Sequence, residues 1–232
     1  MTNLVDNFNR LRSTIVATEK RFGRVPGSVR LLAVSKAQPV SVLLAAIQLG
    51  QYCFAENYLQ ELKEKSEYLA RQSLPQAVEW HFIGAIQSKK ARNIASICDW
   101  VHSVDRMTVA KGLSKYRSDD KPALNVCIQV NLDNEQSKAG VVPEGVVDLA
   151  NEMSQLPNIV IRGLMAIPKP QQDFDTQRKS FAYLRRLYDK LATCISSIDS
   201  LSAGMSNDFE AAIAEGATIV RVGTALFGRR DI

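Results

Sequence analysis

Lys36 closes the run Arg30-Leu31-Leu32-Ala33-Val34-Ser35-Lys36, in which four apolar residues precede a serine and a lysine. An unbroken apolar run of this length fits a strand buried on both faces, as in parallel sheets. A lysine at the carboxyl end of such a strand stands where open α/β sheets and (β/α)8 barrels collect ligands. Partial desolvation at such a place favours the neutral amine, which is a nucleophile toward carbonyl groups. The position is equally compatible with an ordinary solvent-facing lysine.

Two segments near the C-terminus suit an anion. Leu201-Ser202-Ala203-Gly204-Met205-Ser206-Asn207-Asp208 places two serines and a glycine before a helix. The first turn of that helix would offer free N–H groups and a positive dipole end. Asn207 and Glu210 have the spacing of a capping box. In Val220-Arg221-Val222-Gly223-Thr224-Ala225-Leu226-Phe227-Gly228, Gly223 permits close backbone approach to a phosphate and Thr224 adds a hydroxyl. Arg221 interrupts an apolar strand, and an inward arginine needs a hydrogen-bonding partner because an unpaired buried charge is very costly. The plainer reading makes Arg221 an ion-pair member and the Ser/Gly runs turns. Taken together, an amine nucleophile and a phosphate cradle suggest a phosphorylated aldehyde. Pyridoxal 5′-phosphate (PLP) fits both ends.

These residues need a scaffold that brings positions 36, 206 and 223 together. The sequence reads as one helix over residues 3–22 followed by eight strand–helix units. Strands are expected at 30–36, 52–55, 78–84, 100–104, 124–132, 159–167, 200–202 and 217–222. The intervening helices are expected to run from Pro39 to Leu49, from Leu59 through Leu69, from Ser88 as cap to Cys98, over 106–116, from Pro143, from Asp173 or Asp175, and over Ser206–Glu215. A polar loop occupies 133–140. Eight βα units in a chain of 232 residues match a single (β/α)8 TIM barrel with an extra N-terminal helix, an α/β fold. Residues 1–28 form the helix and turn and 29–232 the barrel, as one domain. A doubly wound open sheet is the alternative.

Composition narrows the function classes. Hydrophobic residues make up 46% and charged residues 23%, the profile of a globular chain. No apolar run reaches membrane-spanning length, and the N-terminus lacks a secretory pattern. The net charge of +5 is a mild excess. Its densest spots, Lys89-Lys90-Ala91-Arg92 and Arg229-Arg230, lack interleaved aromatics, so a nucleic-acid platform is not expected. Two histidines, His81 and His102, and four scattered cysteines give little support to a zinc site. Cys98 and Cys127, in apolar company, read as buried free thiols of a cytoplasmic protein.

The ordered set of stretches Leu32-Ala33-Val34-Ser35-Lys36, Ala55-Glu56-Asn57-Tyr58, Trp80-His81-Phe82-Ile83-Gly84-Ala85-Ile86-Gln87-Ser88-Lys89-Lys90, Gly163-Leu164-Met165-Ala166-Ile167-Pro168, Gly204-Met205-Ser206-Asn207-Asp208 and Val220 through Gly228 resembles the PLP homeostasis proteins, whose fold is like the N-terminal barrel of alanine racemases. The resemblance spans essentially the whole chain. Ala55 stands where that family often has glycine, and Asn207 where it often has aspartate. The resemblance implies a Schiff base on Lys36, phosphate contacts from Ser206, Gly223 and Thr224, and Arg221 facing the pyridine nitrogen. It also implies pocket-lining roles for Asn57 and Met165, although Asn57 could cap the following helix and Met165 could be core.

An arginine at the ring nitrogen cannot accept a proton, so it disfavours the pyridinium that makes PLP a strong electron sink. Together with the role that the resemblance implies, the expectation is a non-catalytic PLP-binding protein of PLP homeostasis, with PLP and PLP-requiring apo-enzymes as partners. A PLP-dependent amino-acid racemase is the alternative. Two-base racemisation needs an acid/base opposite the lysine. Alanine racemases take it from a partner's additional domain, which is not expected here because the sequence ends soon after the eighth strand. Of the six tyrosines only Tyr58 follows a strand closely. A monomer is expected. A phosphosugar-binding barrel without an imine is a third reading, and Lys138 in the polar loop is the fallback site for the imine.

Overall fold

A computed structural model describes residues 2–133, 135 and 139–228. Its eight strands close in sequence order into an all-parallel barrel, with the first strand pairing with the last. They are β1 (Arg30–Val34), β2 (Cys53–Glu56), β3 (Glu79–Phe82), β4 (Trp100–Val104), β5 (Leu124–Val130), β6 (Ile159–Ala166), β7 (Ser200–Ser202) and β8 (Ile219–Val222). Helices α1 (Thr2–Arg21), α2 (Val40–Gln48), α3 (Leu59–Ala70), α4 (Ala91–Ile97), α5 (Met107–Tyr116), α6 (Val146–Met153), α7 (Phe174–Cys194), α8 (Phe209–Ala214) and α9 (Thr224–Phe227) follow in order. None of them is long and apolar enough to cross a membrane.

Three expected helix starts are corrected. The helix expected from Pro143 begins at Val146, because residues 143–145 form a 3-10 turn. Ser88 does not cap a helix: residues 88–90 form a single 3-10 turn, and α4 begins at Ala91. The helix after β7 begins at Phe209 rather than Ser206, and Asn207 forms no capping box. The Asp208 carboxylate accepts from the Met205 N–H at 2.6 Å and closes a separate turn ahead of α8. Asp173, by contrast, caps α7 through the Thr176 N–H. Lys138 and the Arg229-Arg230 pair lie outside the described residues.

The larger core lies between the strands and the helix ring, with Phe8, Leu43, Phe54, Leu62, Phe82, Leu113, Ile128 and Phe181 fully buried. A second cluster fills the barrel interior: Leu32, Val34, Ala55, Trp100, Cys127, Met165 and Ile219. Strand side chains alternate between these two compartments, which is why apolar runs mark the strands. Cys98 and Cys127 are buried free thiols.

The helix before the barrel is firmly tied to it. Glu19 of α1 accepts from the Gly27 and Val29 N–H groups, and Arg24 donates to the carbonyls of Ile213 and Ala217. The Asn7 amide donates to the Leu226 carbonyl of α9. The seam between β6 and β7 is unusually close. A Cβ on Gly163 would lie 1.6 Å from the Ser200 carbonyl oxygen. Gly163→Ala must therefore push two neighbouring strands apart. It is expected to cost about 2–3 kcal/mol of stability, measured as a lowered urea midpoint at unchanged slope.

Candidate functional site

Lys36 is half-buried and sits two residues beyond β1. The backbone on either side of it is fixed by a buried polar clamp. Lys65 of α3 lies on the inward stripe with Leu62 and Leu69 and is almost fully buried. Its ammonium donates to the Ser35 carbonyl at 2.8 Å, to Glu56 Oε1 at 2.7 Å and to Glu61 Oε2 at 2.8 Å. The Ser35 hydroxyl donates to the same Glu56 oxygen. Burial raises the Glu56 carboxyl pKa despite the hydrogen bonds from Lys65 and Ser35 that oppose it. On the other side of Lys36, Ala37 adopts a positive φ of 58°, and its N–H donates to Glu61 Oε2 at 2.7 Å. A non-glycine residue in this region costs about 1–3 kcal/mol and persists only where its surroundings hold it.

The loops after β7 and β8 meet through Ser206, whose hydroxyl accepts from the Ala225 N–H at 3.2 Å. Gly204 allows this loop to fold against α8. It has a φ of 91°, and a Cβ there would lie 2.7 Å from the Ala212 methyl. Met205, Asp208 and Ala225 use their N–H groups internally. Among the described residues, the N–H groups of Ser206, Asn207 and Thr224 have no partner. Adjacent free amides of this kind, with the Ser206 and Thr224 hydroxyls, form an anion-binding concavity.

Arg221 of β8 points into the barrel and is only 3% exposed. It donates to the Ser202 hydroxyl at 2.8 Å and to the Ala166 carbonyl at 2.9 Å. No carboxylate among the described residues pairs with it, and burial lowers its pKa to about 10. Further donors remain on the five-donor guanidinium.

Lys36, Asn57, Ser206, Arg221, Gly223 and Thr224 all line one cavity of about 570 Å³ at the carboxyl ends of the strands, with Val34, Ile83 and Ile167 as apolar wall. Of the seven residues expected from the sequence to contact the cofactor, Met165 is the one that does not line it. Met165 is packed in the barrel interior with Leu32 and Trp100. Asn57 Oδ1 is buried with no hydrogen-bond partner, and Asn57 does not cap α3. The chemistry of this donor set is cationic at two points, amide-rich at one end and short of one donor at Asn57. It fits a ligand with a phosphate, an aldehyde and an aromatic nitrogen, so the residues present are compatible with PLP.

Several groups that shape the site were not singled out from the sequence as site residues. Lys65, Glu56 and Glu61 hold the Lys36 turn, and Ser202, His81 and His102 lie beneath Arg221. A signal existed for each set. Lys65 falls between Leu62 and Leu69 on an apolar helical stripe, and His81 and His102 fall on inward positions of apolar strands.

Residues 7–231 match the alanine racemase N-terminal domain family. The chain is 46% identical over 231 residues to the pyridoxal phosphate homeostasis protein of Vibrio cholerae, covering 100% of this chain and 98% of that one. It is 48% identical over 231 residues to the protein of that name from Pseudomonas aeruginosa, covering 100% and 97%. Among solved structures, PipY of Synechococcus elongatus with PLP bound is similar at a TM-score of 0.84 and 34% identity, over 97% of this chain and 100% of that one. An alanine racemase from Clostridium difficile has a TM-score of 0.72 at 16% identity, over 100% of this chain and 58% of that one. That likeness is one of fold. The chain belongs to the alanine racemase N-terminal domain family and, within it, to the pyridoxal phosphate homeostasis proteins.

Breaking the clamp has a definite sign. Lys65→Met leaves the Glu56 carboxylate buried without its cation, at a cost of about 3–5 kcal/mol near neutral pH. The folded-state pKa of Glu56 is already raised and rises further in the variant. A raised carboxylate pKa means the folded state binds the proton more tightly, so stability is gained as pH falls and lost as it rises through that pKa. Chemical unfolding should find Lys65→Met closer to wild type at pH 5 than at pH 7.5.

Proposed function

We propose that this chain binds PLP at the barrel mouth and holds it without substantial turnover, as a reservoir in PLP homeostasis. The observation that carries this reading is the convergence of Lys36, Arg221 and the Ser206/Thr224 amide cradle on one cavity. The PLP bound in the structure of PipY, a relative 34% identical over nearly the whole chain, supports it.

PLP supplies an aldehyde that a lysine amine can hold as a reversible imine. Lys36 presents its amine from a turn that Lys65 and Glu61 hold in place. The free N–H groups of Ser206, Asn207 and Thr224, with the two hydroxyls, bind the phosphate. Gly223 keeps the approach open: a Cβ there would already press within 3.1 Å of the Val34 carbonyl oxygen. Arg221 donates to the ring nitrogen and, as a permanent cation, keeps a proton off it. The Asn57 amide donates or accepts at the ring edge.

Three features support retention over catalysis. Arg221 withholds the pyridinium. Lys36, Asp208 and Arg221 are the ionisable residues among the described cavity lining, and the Asp208 carboxylate is engaged by the Met205 N–H. Tyr58, although 63% exposed, is not part of that lining. The four free cysteines support a cytoplasmic setting. PLP-requiring apo-enzymes are the proposed recipients.

Lys36→Ala is expected to lose both the imine absorbance band and the borohydride-trapped peptide. A trapped adduct mapping to another lysine would move the attachment site. Arg221→Ala is expected to keep the imine band but weaken PLP retention by about 10–100-fold, the worth of one charged hydrogen bond. Racemisation or transamination above that of free PLP would reverse the choice of carrier over enzyme.

A further inference from the structure

Beneath the cavity the barrel axis holds a continuous line of buried polar side chains. The Arg221 guanidinium donates to Ser202 Oγ at 2.8 Å. Ser202 Oγ lies 2.8 Å from His102 Nδ1, His102 Nε2 lies 2.8 Å from His81 Nδ1, and His81 Nε2 lies 2.6 Å from Glu79 Oε1. Both imidazoles are fully buried, and Trp100 stacks on His81 with ring centroids 5.7 Å apart. At the opposite end from the cavity, Glu79 is partly exposed and pairs with Arg30 at 2.6 Å.

The donors and acceptors in this line can be ordered from its ends. Arg221 can only donate, so Ser202 Oγ accepts there and its own hydrogen is free for His102 Nδ1. An accepting Nδ1 places the His102 proton on Nε2, which then donates to His81 Nδ1. His81 in turn carries its proton on Nε2 and donates to the Glu79 carboxylate. The reverse order would leave His81 either doubly protonated or facing a carboxylate acceptor-to-acceptor. Burial lowers the pKa of His81 and, more strongly, that of His102, and Arg221 adds to the effect on His102. For Glu79, burial raises the carboxyl pKa, but the His81 hydrogen bond and the Arg30 charge oppose it and the net direction is down. Neutral rings and an ionised Glu79 are the states that the directed order requires.

We propose that Ser202, His102, His81 and Glu79 form one directed hydrogen-bond chain that holds Arg221 in the orientation facing the cavity, as positioning residues for the group that meets the ligand. Among the described residues no carboxylate forms an ion pair with Arg221, although the Asp208 charge acts on it across the cavity. The aligned dipoles of the chain fix the direction in which Arg221 donates, and they end on Glu79, which also pairs with Arg30. The first part of this proposal stands on the protein alone. Its effect on ligand retention rests on the PLP reading.

The two parts are tested separately. Nitrogen-15 correlation spectra of the ligand-free wild-type protein at pH 7 are expected to show both histidines as neutral Nε2–H tautomers. Either ring found as Nδ1–H or doubly protonated would overturn the directed chain, whether or not PLP binds. For retention, Ser202→Ala is expected to weaken PLP binding about tenfold and to shift the imine band, through loss of one link to a charged donor. His102→Phe, which keeps an aromatic ring but removes both nitrogens, should act in the same direction. Because the links are in series, the double variant should be no weaker than Ser202→Ala. Additive losses, or single variants with unchanged affinity and spectrum, would overturn the positioning role. If the variants fail to fold, the tautomer measurement still decides the chain. If the wild-type protein takes up no PLP at all, the function proposed above fails while the tautomer result stands.

Discussion

A guanidinium sealed inside a barrel, with no ion-paired carboxylate among the described residues, is the constraint on which much of this structure depends. Burying an unpaired cation is among the most expensive steps a fold can take. Arg221 is tolerated because Ser202 and the Ala166 carbonyl occupy part of its donor set and because it lines the open cavity rather than closed core. The strand that carries it must be the last of the barrel, so that its neighbours are β7, which supplies Ser202, and β1, which leads to Lys36. Closure of the sheet makes those two neighbours simultaneous.

The two ends of the cavity are built by different means. The anion end is made of backbone: exposed amides and small residues in two short loops, joined by one hydroxyl-to-amide contact. The lysine end is made of side chains from the next layer, with Lys65, Glu56 and Glu61 converging on the turn around residue 36. An amide concavity needs only the correct chain path. A flexible four-carbon side chain needs its root fixed before its tip can be directed, and a buried ion-pair cluster supplies that rigidity.

The parallel barrel was legible in the sequence because its strands are short apolar runs separated by helical periodicity. The Trp100–Val104 and Ser200–Ser202 strands match their expected bounds. The helix after β7 was misplaced because Asn207 and Glu210 have capping spacing while the competing interaction, Asp208 back to the Met205 N–H, wins locally. Lys36, Ser206, Arg221, Gly223 and Thr224 could be read from residue type and position at strand ends. Met165 could not be placed that way, because inner-layer and mouth positions on one strand differ by only a step along it. The two histidines could be read from the sequence only as too few for a zinc site, because strands were recognised as apolar runs, which hides polar residues at every second position. Glu79 with His81, and Trp100 with His102, carried that period-two signal.

The leading helix has a consequence for the far side of the molecule. Residues 2–21 precede the barrel, yet they rest on α8 and α9, and the Asn7 amide grips the last turn of α9 at Leu226. Thr224, at the start of that same four-residue helix, contributes an amide to the anion cradle. The chain's opening segment thus braces its closing one. Shortening the amino terminus is mechanically a change to the loop proposed to face the phosphate, more than two hundred positions downstream.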